Sequence, residues 1–156
     1  MRDPGPLHPP ELAFLTALWD VWQALRERGE AELRGQHGLD LRSFIALAYV
    51  QGGTTQPAAL ARELGVPRYE VSRVLAALEA RGAVRREHGG PDARRVTVRV
   101  TLAGRQLWEG ALGTVRGVTG PALAPLSPTA RAALPRHLAA VAQAARFPAP
   151  SQELTP

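Results

Sequence analysis

Cysteine is absent from the 156 residues. That excludes disulfides, thiolate metal sites and thiol-based redox sensing. Lysine is absent too, so all 19 basic residues are arginine. Aromatic residues make up only 5% of the chain, and alanine and leucine dominate, a balance that favours helices over a β-sandwich. There is no apolar run of about 18 residues, the length a membrane span needs. The opening MRDPGPLHPP places prolines where a secretory signal would need an apolar core, so no signal peptide is expected and a cytoplasmic location is the default. His8, His37, His88 and His137 have no metal-ligand spacing, so neither a metal nor another cofactor is expected. There is no Gly-x-Ser-x-Gly, no phosphate-binding loop and no paired carboxylates in a pocket-like setting, so an enzyme is not expected.

What is present is a 45% hydrophobic fraction, enough for a real core, and a net charge of +5. Residues 1–56 carry 5 Arg against 7 acids, residues 57–105 carry 10 against 5, and residues 106–156 carry 4 against 2. The basic excess lies in the middle third, as a surface facing a polyanion would require. A solvated basic face without a partner is the competing explanation of charge alone.

Hydrophobic spacing predicts the elements. Residues 1–10 and 147–156 are proline-rich and read as flexible ends. Leu12, Leu15, Leu18, Trp19, Trp22 and Leu25 recur at three and four, giving an amphipathic helix from 11 to about 33. The glycine-containing stretches 27–30 and 34–38 should break it. Asp40 can cap a second helix with Phe44, Leu47 and Ala48 inward, ending at Gly52-Gly53. Thr54 or Thr55 is placed to cap a third, with Pro57 in its first turn and Gly65 as its left-handed end. Pro67 opens a fourth, with Val71, Val74, Leu75 and Leu78 inward, ended by Gly82. Two short helices joined by a tight glycine turn match a helix-turn-helix. Residues 83–87 and 95–101 then read as strands around a Gly-Gly-Pro-Asp turn, with Val96, Val98 and Val100 on one face: a wing. Thr101 can cap a helix running to about 118, which Gly120-Pro121 should interrupt. Ser127-Pro128 opens a last helix that Pro135 should kink or split.

The predicted fold is mainly α with a small β-wing. A winged helix-turn-helix (36–101) is flanked by dimerisation helices at 11–35 and 102–146. In such a motif the second helix enters the major groove of double-stranded DNA. Its outward residues are Arg68, Tyr69, Ser72, Arg73 and Ala76; arginine can read guanine O6 and N7, and a hydroxyl can serve base or phosphate. Arg94 and Arg95 follow the wing tip and suit the minor groove, with Asp92 placed to orient Arg94. Thr54, Thr55 and Gln56 begin the motif's first helix, where hydroxyls and amides bind phosphate.

Leu60-Ala61, Leu64-Gly65-Val66, Val71-Ser72-Arg73-Val74-Leu75, Leu78-Glu79 and Gly82, followed by Asp92-Ala93-Arg94, Val98, Val100-Thr101 and Gly104, together resemble the core and wing of MarR-type regulators. The resemblance covers about residues 11–145. It implies a homodimer held by the first and last helices, a palindromic operator, and a small-molecule ligand that weakens DNA binding. Two positions depart from the pattern. Pro67 stands where the family usually has a Ser or Thr cap, and Glu70 where it often has a small hydroxyl residue.

Gly110, Gly113, Gly117 and Gly120 share one helix face, which either admits a partner helix or marks a weak helix. Leu134, Leu138, Val141 and Ala145 form an apolar stripe suited to a dimer. Trp19, Trp22, His37, Phe44 and Tyr49 are candidates to line a pocket for a small aromatic or phenolic effector; the competing reading counts the tryptophans as core and His37 as a loop residue. The expected function is a sequence-specific regulator, most simply a repressor. The alternative is a winged-helix protein that binds DNA non-specifically or mediates protein contacts. On this reading Arg73→Ala should weaken discrimination between operators, whereas Arg94→Ala should lower affinity for A·T-rich flanks and reduce the salt slope; unchanged titrations for both would refute the docking.

Overall fold

The computed structural model describes residues 9–88 and 96–146. In chain order these form α1 (Pro10–His37), α2 (Leu41–Gln51), α3 (Pro57–Leu64), α4 (Arg68–Ala80), β1 (Val84–His88), β2 (Val96–Val100), α5 (Leu102–Leu123) and α6 (Pro128–Arg146). The chain divides into two compact units, one ending at Val118 and one beginning at Thr119. The architecture is mainly helical with one two-stranded sheet, as the sequence predicts.

Four boundaries differ from expectation. The first helix does not break up near residue 33 but runs unbroken to His37. A glycine inside a helix costs about 1 kcal/mol, and here burial of Leu33 and the i,i+4 contacts Glu30–Arg34 (3.1 Å) and Glu32–Gln36 (2.7 Å) offset it. The helix stops at Gly38, whose φ of 61° is left-handed; its N–H donates to the Arg34 carbonyl, and that of buried Leu39 to the Leu33 carbonyl. The Gly38 bond is the closing bond of an αL helix end.

Neither Thr54 nor Thr55 caps α3; Gln56 does, without a side-chain bond. Pro57 forces the residue before it into an extended conformation, so the helix cannot start earlier. Asp40, by contrast, caps α2 as predicted, its Oδ1 accepting from the Ser43 N–H at 2.7 Å.

The helix α5 continues through Gly120-Pro121 to Leu123. Pro121 lies in its last turn, where loss of one backbone bond ends the helix soon after without breaking it. In α6, capped by Ser127 (Oγ accepting from the Ala130 N–H, 3.2 Å), Pro135 does not split the helix. Its missing N–H forfeits the bond to the Arg131 carbonyl, and the bonds on either side carry the helix past it.

In the first unit a single core gathers Leu33, Leu47, Leu60, Leu75, Leu78 and Val98, all fully buried, with Leu107, Trp108 and Leu112 of α5 packed against it. The strands β1 and β2 pair antiparallel from Val84↔Val100 to His88↔Val96. Val98 is buried while Val96 and Val100 are half-buried, the one-sided pattern that strict alternation predicts.

The sheet joins the helices at one crowded point. The Ala83 carbonyl accepts from the Thr101 N–H (3.1 Å), and the Thr101 hydroxyl donates to the Gly82 carbonyl (2.5 Å) and accepts from the Gly104 N–H (3.0 Å). Gly104 lies so close that a Cβ there would be 1.9 Å from the Ala83 oxygen. A Gly104→Ala chain should therefore lose about 1–3 kcal/mol to overpacking against backbone that cannot yield. Gly113→Ala, with nothing within 4 Å of its Cβ position, should gain about 0.5–1 kcal/mol from helix propensity. Thermal melts of the two variants check the contrast, and equal melting temperatures would refute it.

Candidate nucleic-acid interface

The helix α3 ends at Gly65 (φ 63°), and the Val66 N–H bonds back to the Ala61 carbonyl at 3.1 Å. Two residues later Pro67, extended at φ −61° and ψ 153°, starts α4 with its carbonyl, which accepts from the N–H groups of Glu70 (3.1 Å) and Val71 (3.3 Å). The helix is fixed by what it buries. Val71, Leu75 and Leu78 are in the core and Val74 is half-buried, so Arg68, Tyr69, Ser72, Arg73 and Ala76 are driven to the exposed side. Tyr69 is 64% exposed. Arg68 and Arg73 make no ion pair with any described residue.

The departure at Glu70 has a local answer. Its carboxylate is ion-paired with Arg42 of α2, so the negative charge at the start of α4 is held by a cation 28 positions away in sequence. At the other end of α4, the Arg81 guanidinium donates to the carbonyls of Gly38 (2.6 Å) and His37, closing the helix onto the α1–α2 turn.

The wing is tied to both helices of the motif. The Val98 N–H donates to the Thr55 carbonyl at 2.7 Å. Arg86 of β1 places its guanidinium near Glu79 (3.5 Å) and the Ser72 carbonyl (3.3 Å), and its backbone N–H donates to Glu79 Oε1 at 3.2 Å. On the exposed side, Glu87 lies between Arg99 (2.7 Å) and Arg85 (2.8 Å). The hydrogen bond from Arg99, with the nearby guanidinium charges, holds its carboxyl below the ordinary value of 4.5 against the opposing effect of desolvation. Thr54 and Thr55 are half-buried and Gln56 is exposed at the start of α3. Asp92, Arg94 and Arg95 lie outside the described residues, as do residues 1–8 and 147–156; Pro9 and Pro10, counted with the flexible N-terminal end, instead cap and open α1.

The five pocket candidates do not converge. Trp19 and Trp22 line a groove of about 950 Å³ between α1, α2 and α4. Phe44 is in the core and Tyr49 is packed against it. His37 bonds Thr114 of α5 (Nε2 to Oγ1, 2.8 Å), and the Thr114 hydroxyl donates onward to Gln36 (2.9 Å), which makes His37 Nε2 the donor. Its ring also fills the space beside Gly110, where a Cβ would come within 3.2 Å. Gly113, Gly117 and Gly120 have no such neighbour.

Sequence reasoning missed Arg42, Glu79, Arg81, Arg86 and Glu87. Only the last carries a local signal: in this register Glu87 is diagonal to Arg99, a spacing at which long charged side chains meet. Among the described residues no cluster could hold a metal and no helix is long and apolar enough to cross a membrane.

The description "MarR family" attaches to a family model that matches residues 37–95. The fold is similar throughout to solved regulators. A MarR-family protein of Mycobacterium tuberculosis, Rv2887, solved with p-aminosalicylic acid, is 30% identical, with 86% of this chain and 99% of that one covered at a TM-score of 0.65. BldR of Sulfolobus solfataricus superposes at 0.77 with 21% identity over 86% and 95%. MepR of S. aureus, solved as a DNA complex, superposes at 0.72 with 18% identity over 85% and 97%. No curated protein matches the sequence. The chain belongs to the MarR family of transcriptional regulators, with a winged helix-turn-helix fold.

The Glu87 pairing predicts a pH response with a definite sign. A carboxyl lowered in the folded state adds to stability above its ordinary value, and the contribution is lost as pH falls through the lowered one. Protection factors of the β1–β2 amides should therefore decline across that acid range in the parent chain, and lie lower but flat in Glu87→Gln. An identical decline in both would assign it elsewhere.

Proposed function

We propose that the chain is a homodimeric, sequence-reading DNA-binding regulator, most simply a cytoplasmic repressor, acting on a palindromic operator and relieved by a small-molecule ligand. The observation that carries this is the outward side of α4. Two arginines without an ion pair among the described residues and a serine stand on a helix whose opposite side is locked in the core. Guanidinium and hydroxyl groups are the donors that read guanine edges and phosphates in the major groove. The wing suits the adjacent minor groove through Arg94 and Arg95, and Thr54, Thr55 and Gln56 suit phosphates. The DNA complex of MepR and the p-aminosalicylic acid complex of Rv2887 are the precedents for the two ligand classes.

Exposed apolar surface supports the dimer. Leu15, Leu18, Trp19 and Trp22 on α1 are 43–61% exposed, and α6 has no buried residue. Surface of this kind is what a partner chain covers. Two bound half-sites would then lie about 34–36 Å apart, one helical turn of DNA.

Genomic footprinting should return a palindrome of that spacing, and competition against random duplex under rising salt should show specific binding outlasting non-specific binding. Equal affinity for every duplex would favour non-specific coating of DNA, and no duplex binding would favour a protein-contact role. Sedimentation should give a dimer that Leu18→Arg with Leu138→Arg converts to a monomer of much lower operator affinity; a monomer with full affinity would overturn the symmetric reading.

A further inference from the structure

We propose that Arg81 is the positioning residue that sets the angle between α4 and α1, and through it the half-site spacing the protein accepts. The inference rests on the dimeric regulator reading above and names a residue that tunes its specificity.

Burial packs α4 against its neighbours. Val71, Leu75 and Leu78 share the core with Leu47 of α2 and Leu60 of α3. The body these helices form is joined to α1 by the short turn between His37 and Leu41. Leu33 and Leu39 bury the apolar side of that joint. Apolar contact is non-directional, whereas a hydrogen bond weakens steeply as it bends. The angle at the joint is therefore a matter for its polar bonds.

Arg81, the C-cap of α4, supplies two of them. Its Nη1 donates to the Gly38 carbonyl at 2.6 Å and its Nη2 to the His37 carbonyl. Both carbonyls lie at the end of α1, where a helix leaves acceptors unpaired and partially negative. The guanidinium is seated so closely that a Cβ on Gly38 would be 3.1 Å from Nη1. The anchor is itself held from α5. His37 Nε2 bonds Thr114 Oγ1 at 2.8 Å, and the Thr114 hydroxyl donates to Gln36 at 2.9 Å. A planar fork across two carbonyls constrains orientation in a way that a single ammonium does not.

The helix then acts as a lever. Ser72 stands nine residues before Arg81, which is about 13 Å along the axis. A tilt of about 10° at the Arg81 end carries Ser72 sideways by about 2 Å. Twofold symmetry doubles that between two protomers to about 4 Å, more than the rise of one base pair, about 3.4 Å. In the proposed dimer the partner chain covers the exposed apolar face of α1. The helix α1 thus belongs to the frame of the dimer and α4 to the frame of the DNA, and Arg81 joins the two.

Two measurements on the full chain test this. Because the sequence has no cysteine, Ala76→Cys on the exposed side of α4 accepts one spin label per protomer. Pulsed electron paramagnetic resonance should give one narrow label-to-label distance, which the further change Arg81→Lys should broaden or shift. Operator binding by fluorescence anisotropy is then compared on three duplexes, with the centre intact, lengthened by one base pair or shortened by one. The parent chain should lose about tenfold on either altered duplex, as for a mismatched base pair. Arg81→Lys and Arg81→Met should bind the intact duplex within a few-fold of the parent and lose most of that penalty. A role in stability alone would weaken binding to all three duplexes by one factor and leave their ratios unchanged. A phosphate contact would survive in Arg81→Lys and vanish, with part of the salt slope, in Arg81→Met. Either pattern, or an unchanged label distance in Arg81→Lys, would overturn the proposal. Absence of a label-to-label distance or of specific operator binding in the parent chain is a separate result, one that removes the dimeric regulator reading and this inference with it.

Discussion

The backbone carbonyl of Ala83 lies where α4, the wing and α5 come together. It accepts from Thr101, whose hydroxyl spans Gly82 and Gly104, and the approach of α5 is close enough that only glycine fits at 104. Around it everything else follows in order. The glycine at 82, with φ of 67°, turns the chain out of α4 and into β1. The strand register then places Val98 in the core, and Thr101 sets the start of α5, whose Leu107, Trp108 and Leu112 close over the same core. One backbone oxygen between α4 and β1 is thus paired with Thr101, between β2 and α5, and buried backbone polar groups must be paired wherever they occur.

Charge in the basic middle third is distributed by pairing. Glu70, Glu79 and Glu87 are each held by an arginine: Arg42, Arg86, and Arg85 with Arg99. Those pairs absorb the acids close to the interface and leave Arg68 and Arg73 facing outward. Pairing between exposed groups contributes little to stability; its effect here is on which cations remain unpaired.

Local chemistry made much of this fold legible. Asp40, Gly65, Gly82, Thr101 and Ser127 each mark a helix end by a mechanism confined to a few residues, and each does so in the structure. The outward set on α4 was legible for a related reason: Val71, Leu75 and Leu78 share one helical face, so their burial determines what is left exposed. The end of α1 was misplaced because a long-range contact outweighed a local preference, whereas the other misplaced boundaries turned on prolines acting locally. Gly29 and Gly35 do not break α1 because Leu33 is buried by the rest of the core. His37 lies in α1 and not in a loop, and Thr114, 77 positions away, takes its ring nitrogen. Arg42 escaped notice for the same reason: nothing in the spacing of residues 42 and 70 says that they meet.

The wing's attachment bears on how the molecule would respond to DNA of varying shape. The Val98–Thr55 bond ties β2 to the start of α3, and Arg86 ties β1 to α4 through Glu79 and Ser72. The separation between recognition helix and wing is thereby set by the protein's own bonds. Docked as proposed above, such a unit would act as a fixed-jaw caliper laid across neighbouring grooves. A duplex whose twist or groove width does not match the jaws must deform to fit, and the elastic cost of that deformation depends on base steps no side chain touches.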